Sequence, residues 1–208
     1  MTVLNEIVID RKVPSVMRDG ATLYSDVYRP KAEGRCPVIV ERVAYELDHR
    51  VEPYAEWYAS RGYVFVGQSS RGTYWSEGEW VPFAADGWGE RQDGYDTIEW
   101  AAAQPWSNGN VGTMDGSWSG NTQNLLAPTR PPHLKAMFAR MSPAYQGDND
   151  GIGSSMRRVG MLKLLLIQAR HPSASPELRS QIEELESLNN NLMEVLSELP
   201  SKNLPFID

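Results

Sequence analysis

The stretch Gly109-Asn110-Val111-Gly112-Thr113-Met114-Asp115-Gly116-Ser117-Trp118-Ser119-Gly120-Asn121-Thr122-Gln123 decides how the chain is read. Val111 to Met114 has the character of a buried strand, and Ser117 to Ala127 opens a helix. A serine stands at the corner, between small residues. A tight strand-to-helix turn lifts such a hydroxyl above the carboxyl edge of a sheet. The helix N-terminus behind it offers unpaired N–H groups and a partial positive charge, which suit a developing oxyanion. The same segment also reads as a plain strand–helix turn with a capping serine.

Outward from this corner, strands alternate with helices. Pro37-Val38-Ile39-Val40 reads as a strand buried on both faces, followed by a helix over Glu52 to Ser60 that Arg61-Gly62 closes. Tyr63 to Val66 is a second buried strand, and a Gly- and Trp-rich loop runs from Ser69 to about Gly89. Asp93 to Ala103 reads as a helix and Leu134 to Ala139 as a strand. This alternation predicts βαβ units and a largely parallel sheet. Val3 to Val16 and Ala21 to Tyr28, joined at Asp19-Gly20, predict an antiparallel pair at a sheet edge. From Gly147 the character changes to a polar linker ending at Gly153, then a helix over Ser154 to Ala169. Ser173 to Pro176 breaks it, and a long amphipathic helix is expected over Glu177 to Leu199. There Leu178, Leu185, Leu192 and Leu199 recur every seven residues, interleaved with Ile182, Asn189 and Leu196, as in the seam of a helix pair.

The 208 residues are 41% apolar and 23% charged, a globular composition. No apolar run approaches the ~18 residues of a membrane span, and the first ten residues lack the apolar core of a signal peptide. A single cysteine, Cys36, excludes an intrachain disulfide and a cysteine zinc cluster. A net charge of −7 argues against a nucleic-acid partner. A cytoplasmic protein without cofactor, resident metal or membrane partner is expected. Glu77, Glu79, Asp86, Glu90, Asp93 and Asp96 read as a solvated acidic face, with a cation site as the alternative. Asp148-Asn149-Asp150 is a fragment of a calcium loop without its remaining ligands. The only histidines are His49, His133 and His171.

Further blocks stand in a recognisable order. They are Met17-Arg18-Asp19-Gly20 with Asp26-Val27-Tyr28-Arg29-Pro30, Arg42-Val43-Ala44-Tyr45, and Arg71-Gly72 with Ser76-Glu77-Gly78-Glu79-Trp80. Then come Asp93 to Trp100, Gln104 to Gly112, and Arg130-Pro131-Pro132-His133-Leu134-Lys135-Ala136. With these blocks, residues 10–145 resemble the CocE/NonD family of α/β-hydrolases, which includes esterases and Xaa-Pro dipeptidyl-peptidases. The resemblance implies an α/β chain: a partial α/β-hydrolase fold with a mostly parallel sheet, antiparallel N-terminal strands and a C-terminal helical cap segment. Residues 1–146 would be the N-terminal part of the hydrolase domain and 147–208 a truncated cap segment. It further implies a serine hydrolase that cleaves a small acyl ester or a peptide through an acyl-enzyme. Ser117 would be the nucleophile. The Trp118 N–H and the Tyr45 hydroxyl would form the oxyanion hole. A carboxylate pocket for a substrate amine is a further role the resemblance allows the acidic loop.

Three departures stand out. Asp115 replaces a glycine two residues before the serine, where a carboxylate would oppose the oxyanion. Gln68-Ser69-Ser70-Arg71-Gly72 lacks the family's aspartate, so Arg71 is expected to lose an acidic neighbour. The family's acid and base follow the cap, and no matching pair follows Ser117 here. His171 reads as a helix-end residue and His133 as structural, while the spacing of His49 does not link it to Ser117. Without a base a serine hydroxyl is a poor nucleophile. One expectation is therefore an incomplete hydrolase, completed by a downstream C-terminal fragment. The other is an inactive remnant that associates, as a homo-oligomer or with another helix, through the 177–199 helix, although the same seam also reads as a cap helix packed on its own domain. A third keeps activity in this chain with His49 or His171 as base. A sheet ending near Ala139 is expected to expose its edge and apolar faces.

Overall fold

The computed structural model describes residues 4–80, 83–87, 89–142, 162–172 and 174–191, the His49 side chain excepted. The chain forms two compact units, Met1–Ala144 and Tyr145–Asp208.

The first unit is built on one sheet of six strands. These are β1 (Ile7–Val16), β2 (Thr22–Pro30), β3 (Cys36–Val43), β4 (Val64–Ser69), β5 (Ser107–Gly116) and β6 (Leu134–Arg140). Their spatial order is β1-β2-β4-β3-β5-β6. β1 pairs with β2, and β2 with β4, antiparallel; β4, β3, β5 and β6 are mutually parallel. The antiparallel edge follows from a tight turn: Met17 N–H donates to the Ala21 carbonyl at 2.8 Å, with Gly20 at φ +88°.

Among the described residues, four α-helices flank the sheet: α1 (Leu47–Arg50), α2 (Glu52–Ala59), α3 (Asp93–Ala102) and α4 (Trp118–Leu126). α2 lays Ala55 and Ala59 on Tyr28, Val43 and Phe65. On the other face, Ile98 and Ala101 of α3 and Leu126 of α4 cover Val27, Val38, Val40, Val64, Val66 and Val111. All six residues of β4 are buried. β3 departs from the expected strand buried on both faces, because Ile39 is only half-buried. It borders an open cavity of about 410 Å³ lined also by Tyr58, Tyr63, Val111, Ala136 and Phe138. β6 is exposed over Lys135–Arg140, with Phe138 59% accessible.

The acidic loop between β4 and α3 is not a solvated face. Asp86 and Asp93 are buried. Asp86 pairs with Arg42, and Asp93 with Arg71 at 2.6 Å. Asp96 binds Arg18 at 2.7 Å, and the Glu77 carboxylate accepts the Thr22 N–H at 2.8 Å. Glu77, Glu79 and Glu90 match the expectation of exposure. Arg71 likewise keeps acidic neighbours: Asp93 and Asp19 (2.9 Å) reach it from distant parts of the sequence. Gly72 sits at φ +68°, and a Cβ there would meet the Trp80 backbone nitrogen at 2.3 Å, so only glycine lets the loop fold back on itself.

In the second unit the described helices are α5 (162–170), α6 (Pro176–Ser180) and α7 (Ile182–Asn190). The single helix expected over 177–199 is interrupted. Gln181 N–H closes a tight turn onto the Leu178 carbonyl at 3.2 Å, and α7 ends in Asn189-Asn190, residues of low helix propensity. Leu178, Ile182, Leu185 and Leu188 pack with Leu162, Leu166 and Ala169 of α5. This stretch of the apolar seam is thus covered within its own unit. Residues 192–199, the 147–153 linker, the calcium-loop fragment and the start of the Ser154–Ala169 helix lie outside the described residues. Among the described residues no helix is long and apolar enough to cross a membrane.

Candidate active site

At the corner, β5 runs straight into α4 through Ser117, whose backbone lies at φ +57° and ψ −117°. Asp115, two residues earlier, lies at φ +90°. Non-glycine residues held there carry strain of about 1–3 kcal/mol each, which surrounding contacts must offset. The contacts are specific. Ser117 N–H donates to the Arg140 carbonyl on β6, and Asn121 N–H to the Ser117 carbonyl, each at 3.0 Å. Gln123 staples the turn: its amide donates to the carbonyls of Asp115 and Ser119, both at 3.0 Å. Its oxygen accepts from the Thr113 hydroxyl (2.9 Å) and the Phe138 N–H (3.2 Å). A Cβ at Gly120 would stand 2.7 Å from the Arg140 carbonyl oxygen, so a glycine three residues past the serine lets α4 close on β6. The result is an exposed Ser117 on a rigid turn.

Tyr45 follows the end of β3 and is half-buried. Its ring meets that of Trp118 edge-on at 6.5 Å. The Trp118 ring is 3% exposed, stacked on Trp80 at 6.0 Å and tilted against Phe83 at 4.2 Å. The loop clamped by Arg42 and Arg71 therefore supplies the aromatic wall behind Trp118. The backbone N–H of Trp118 opens α4, where the first N–H groups have no acceptor within the helix. Tyr45, Ser117 and Trp118, chosen from sequence, thus come together at the carboxyl ends of β3 and β5.

Asp115 does not stand as a bare anion beside the serine. It is 7% exposed and pairs with Arg140 and, at 3.4 Å, with Arg50. Arg50 also lies over the Tyr45 ring, 5.3 Å from its centroid. Beneath the turn sits a residue the sequence reading missed, Glu41 of β3, only 1% exposed. One carboxyl oxygen accepts the Ser119 hydroxyl at 2.8 Å, and the other accepts the Tyr54 hydroxyl. Burial first, aided by the nearby Asp115 carboxylate, pushes the Glu41 carboxyl up to about 7. A signal was present: Glu41 interrupts the apolar run Val38-Ile39-Val40, and a charged residue in a buried strand needs a partner. An open cavity of about 580 Å³ lined by Arg50, Tyr54, Trp57, Met114, Gly116 and Arg140 borders the cluster.

His133 Nδ1 lies 2.7 Å from Glu99, whose carboxylate also accepts the His133 N–H. His171 follows the end of α5 in the second unit. The His49 side chain lies outside the described residues.

Residues 19–204 match the model of the X-Pro dipeptidyl-peptidase (S15) family. The chain is 32% identical, over 92% of its length, to a cocaine esterase from Rhodococcus sp. (strain MB1 Bresler), of which it covers 35%. A CocE/NonD family hydrolase from Staphylococcus aureus superposes with a TM-score of 0.66 at 26% identity, over 87% of this chain and 37% of that one. An α-amino acid ester hydrolase superposes at 0.59 with 27% identity, over 69% of this chain and 27% of that one. The chain spans about a third of the length of these relatives. On a partial α/β-hydrolase fold, it belongs to the X-Pro dipeptidyl-peptidase (S15) family.

Proposed function

We propose that this chain is the nucleophile-bearing part of a serine hydrolase that cleaves a small acyl ester or a peptide amide. The observation that carries this reading is the exposed Ser117 held at φ +57° on the corner between β5 and α4. In the proposed reaction Ser117 Oγ attacks the acyl carbon while a base takes its proton. The negative charge gathers on the former carbonyl oxygen, where the Trp118 N–H and the Tyr45 hydroxyl donate to it. Collapse of the tetrahedral adduct expels the alcohol or amine, and water then releases the acyl group from Ser117. The acid and base come from polypeptide beyond these 208 residues, which agrees with the third of its relatives' length that the chain spans.

The test uses a fluorophosphonate probe and an activated ester. The chain is assayed alone, then mixed with the polypeptide encoded immediately downstream. Labelling and hydrolysis should rise on mixing and vanish in Ser117→Ala. No gain over either piece alone would overturn the reading.

A further inference from the structure

The turn that carries Ser117 rests on a buried polar cluster that the reaction as written does not use. Glu41 enters it from β3, Asp115 from β5, Ser119 from α4 and Tyr54 from α2; Arg50 of α1 and Arg140 of β6 close it. Two carboxyl groups share this interior, and they differ in what answers them. Asp115 meets two guanidinium groups. Glu41 meets only hydroxyls and Asp115 itself. A carboxylate that faces a second carboxylate in a buried site without a counter-charge of its own is costly, and the cheaper arrangement keeps a proton on it.

From this geometry we infer that Glu41 is a positioning residue for Ser117: its protonated carboxyl bridges Asp115 and Ser119, the residues two before and two after the serine, and locks the strained turn. The inference rests on the proposed nucleophilic role of Ser117. Its logic is mechanical. Asp115 and Ser117 both occupy positive φ, so the turn holds only while both flanks are tied down. Gln123 ties the two flanking carbonyls, while Glu41 holds the Ser119 hydroxyl and faces the Asp115 carboxylate. The Glu41 proton is the one element of the lock that can leave near neutrality, consistent with a carboxyl raised to about 7. Once it leaves, Glu41 and Asp115 become two facing anions. Arg50 and Arg140 already serve Asp115 and lie half in solvent, so they do not cancel the repulsion. The turn then loosens. Ser117 chemistry should therefore carry an inhibitory step near neutral pH that originates in Glu41 and adds to the titration of any histidine base.

Three measurements test this. In the wild-type chain with carbon-13-labelled glutamate carboxyls, one glutamate should titrate near pH 7 and disappear in Glu41→Gln. Titration of every glutamate near the ordinary value of about 4 would overturn the inference. The second compares fluorophosphonate labelling of Ser117 in wild type and Glu41→Gln, with the downstream polypeptide present. Gln keeps one acceptor oxygen, turns one hydroxyl of the cluster from donor to acceptor, and cannot ionise. A base titrates alike in both proteins, so their ratio isolates Glu41. The wild-type rate relative to Glu41→Gln should fall roughly thirtyfold between pH 6 and 8.5, and a constant ratio would overturn the inference. If Glu41→Gln does not fold, Ser119→Ala, which removes a hydroxyl donated to Glu41, should shift that glutamate's titration upward, and no shift would overturn the inference. The third is the thermal midpoint against pH, which needs no catalysis: the wild-type midpoint should fall relative to Glu41→Gln as pH rises towards 7. If Ser117 never reacts, the proposed function fails, while the first and third measurements still decide the state of Glu41.

Discussion

Glu41 and Arg42 are neighbours on β3, and their side chains leave on opposite faces of the sheet. Both are buried, yet each face answers its charge differently. Arg42 enters a clamp with Asp86, Asp93 and Gln68 that anchors the loop carrying Trp80 and Phe83. Glu41 enters the cluster under Ser117 with Tyr54, Ser119 and Asp115. The clamp neutralises charge with counter-charge, so its guanidinium side keeps its state at any physiological pH. The cluster neutralises charge with a proton, so its state depends on the solvent. One strand thus builds both walls of the candidate site, one supported by buried ion pairs and the other by a carboxyl without a counter-charge of its own.

The comparison can be broken most sharply at the clamp. Asp93→Ala leaves Arg42 and Arg71 buried without their shared partner, and unfolding in urea at pH 7 should show a loss of about 3–5 kcal/mol. A loss below about 1 kcal/mol would mean that the clamp does not hold the loop. On the cluster side, the raised Glu41 carboxyl favours the protonated folded state. Its contribution is fully present below the unfolded value of 4.5 and is lost as pH rises through about 7. The loss is on the order of 3 kcal/mol, read as the difference between wild type and Glu41→Gln at each pH. Asp19 acts in the opposite sense: Arg71 holds its carboxyl low, so its contribution is lost as pH falls, which is why the difference between the proteins is the proper readout.

The turn between the two walls gives a smaller effect of opposite sign. Ser117→Gly relieves a strained φ and should raise stability by about 1 kcal/mol, while abolishing probe labelling. Equal or lower stability would mean that the corner holds no strain. Smallest of all, Arg18→Ala removes an ion pair with Asp96 at the surface. It should cost no more than about 1 kcal/mol, and less in high salt, against the much larger cost of the buried clamp.

Much of the frame was legible in the sequence for local reasons. Apolar runs at Val38 and Val64, the Asp19-Gly20 turn and the serine at Ser117 each carry a short-range signature of strand, hairpin or corner. Tyr45 and Trp118 came from family blocks rather than from periodicity. The polar supports were not legible. Asp115 looked like an obstacle because its partners, Arg50 and Arg140, lie far from it in sequence. Asp86, Asp93 and Asp96 looked like part of a solvated face because their arginines, Arg42, Arg71 and Arg18, lie far from them in sequence. The heptad leucines from Leu178 left two readings open, outward pairing or packing on their own domain, and α5 covers Leu178, Ile182 and Leu185 within the same unit.

By itself the sequence determined where strands, turns and the reactive corner fall, because these depend on neighbours a few residues apart. Which charges are buried, which are paired and which keep a proton was decided only by the tertiary structure. The cost of a charge is set by the water removed around it and by the groups that replace that water, and in this chain those groups arrive from other strands and helices.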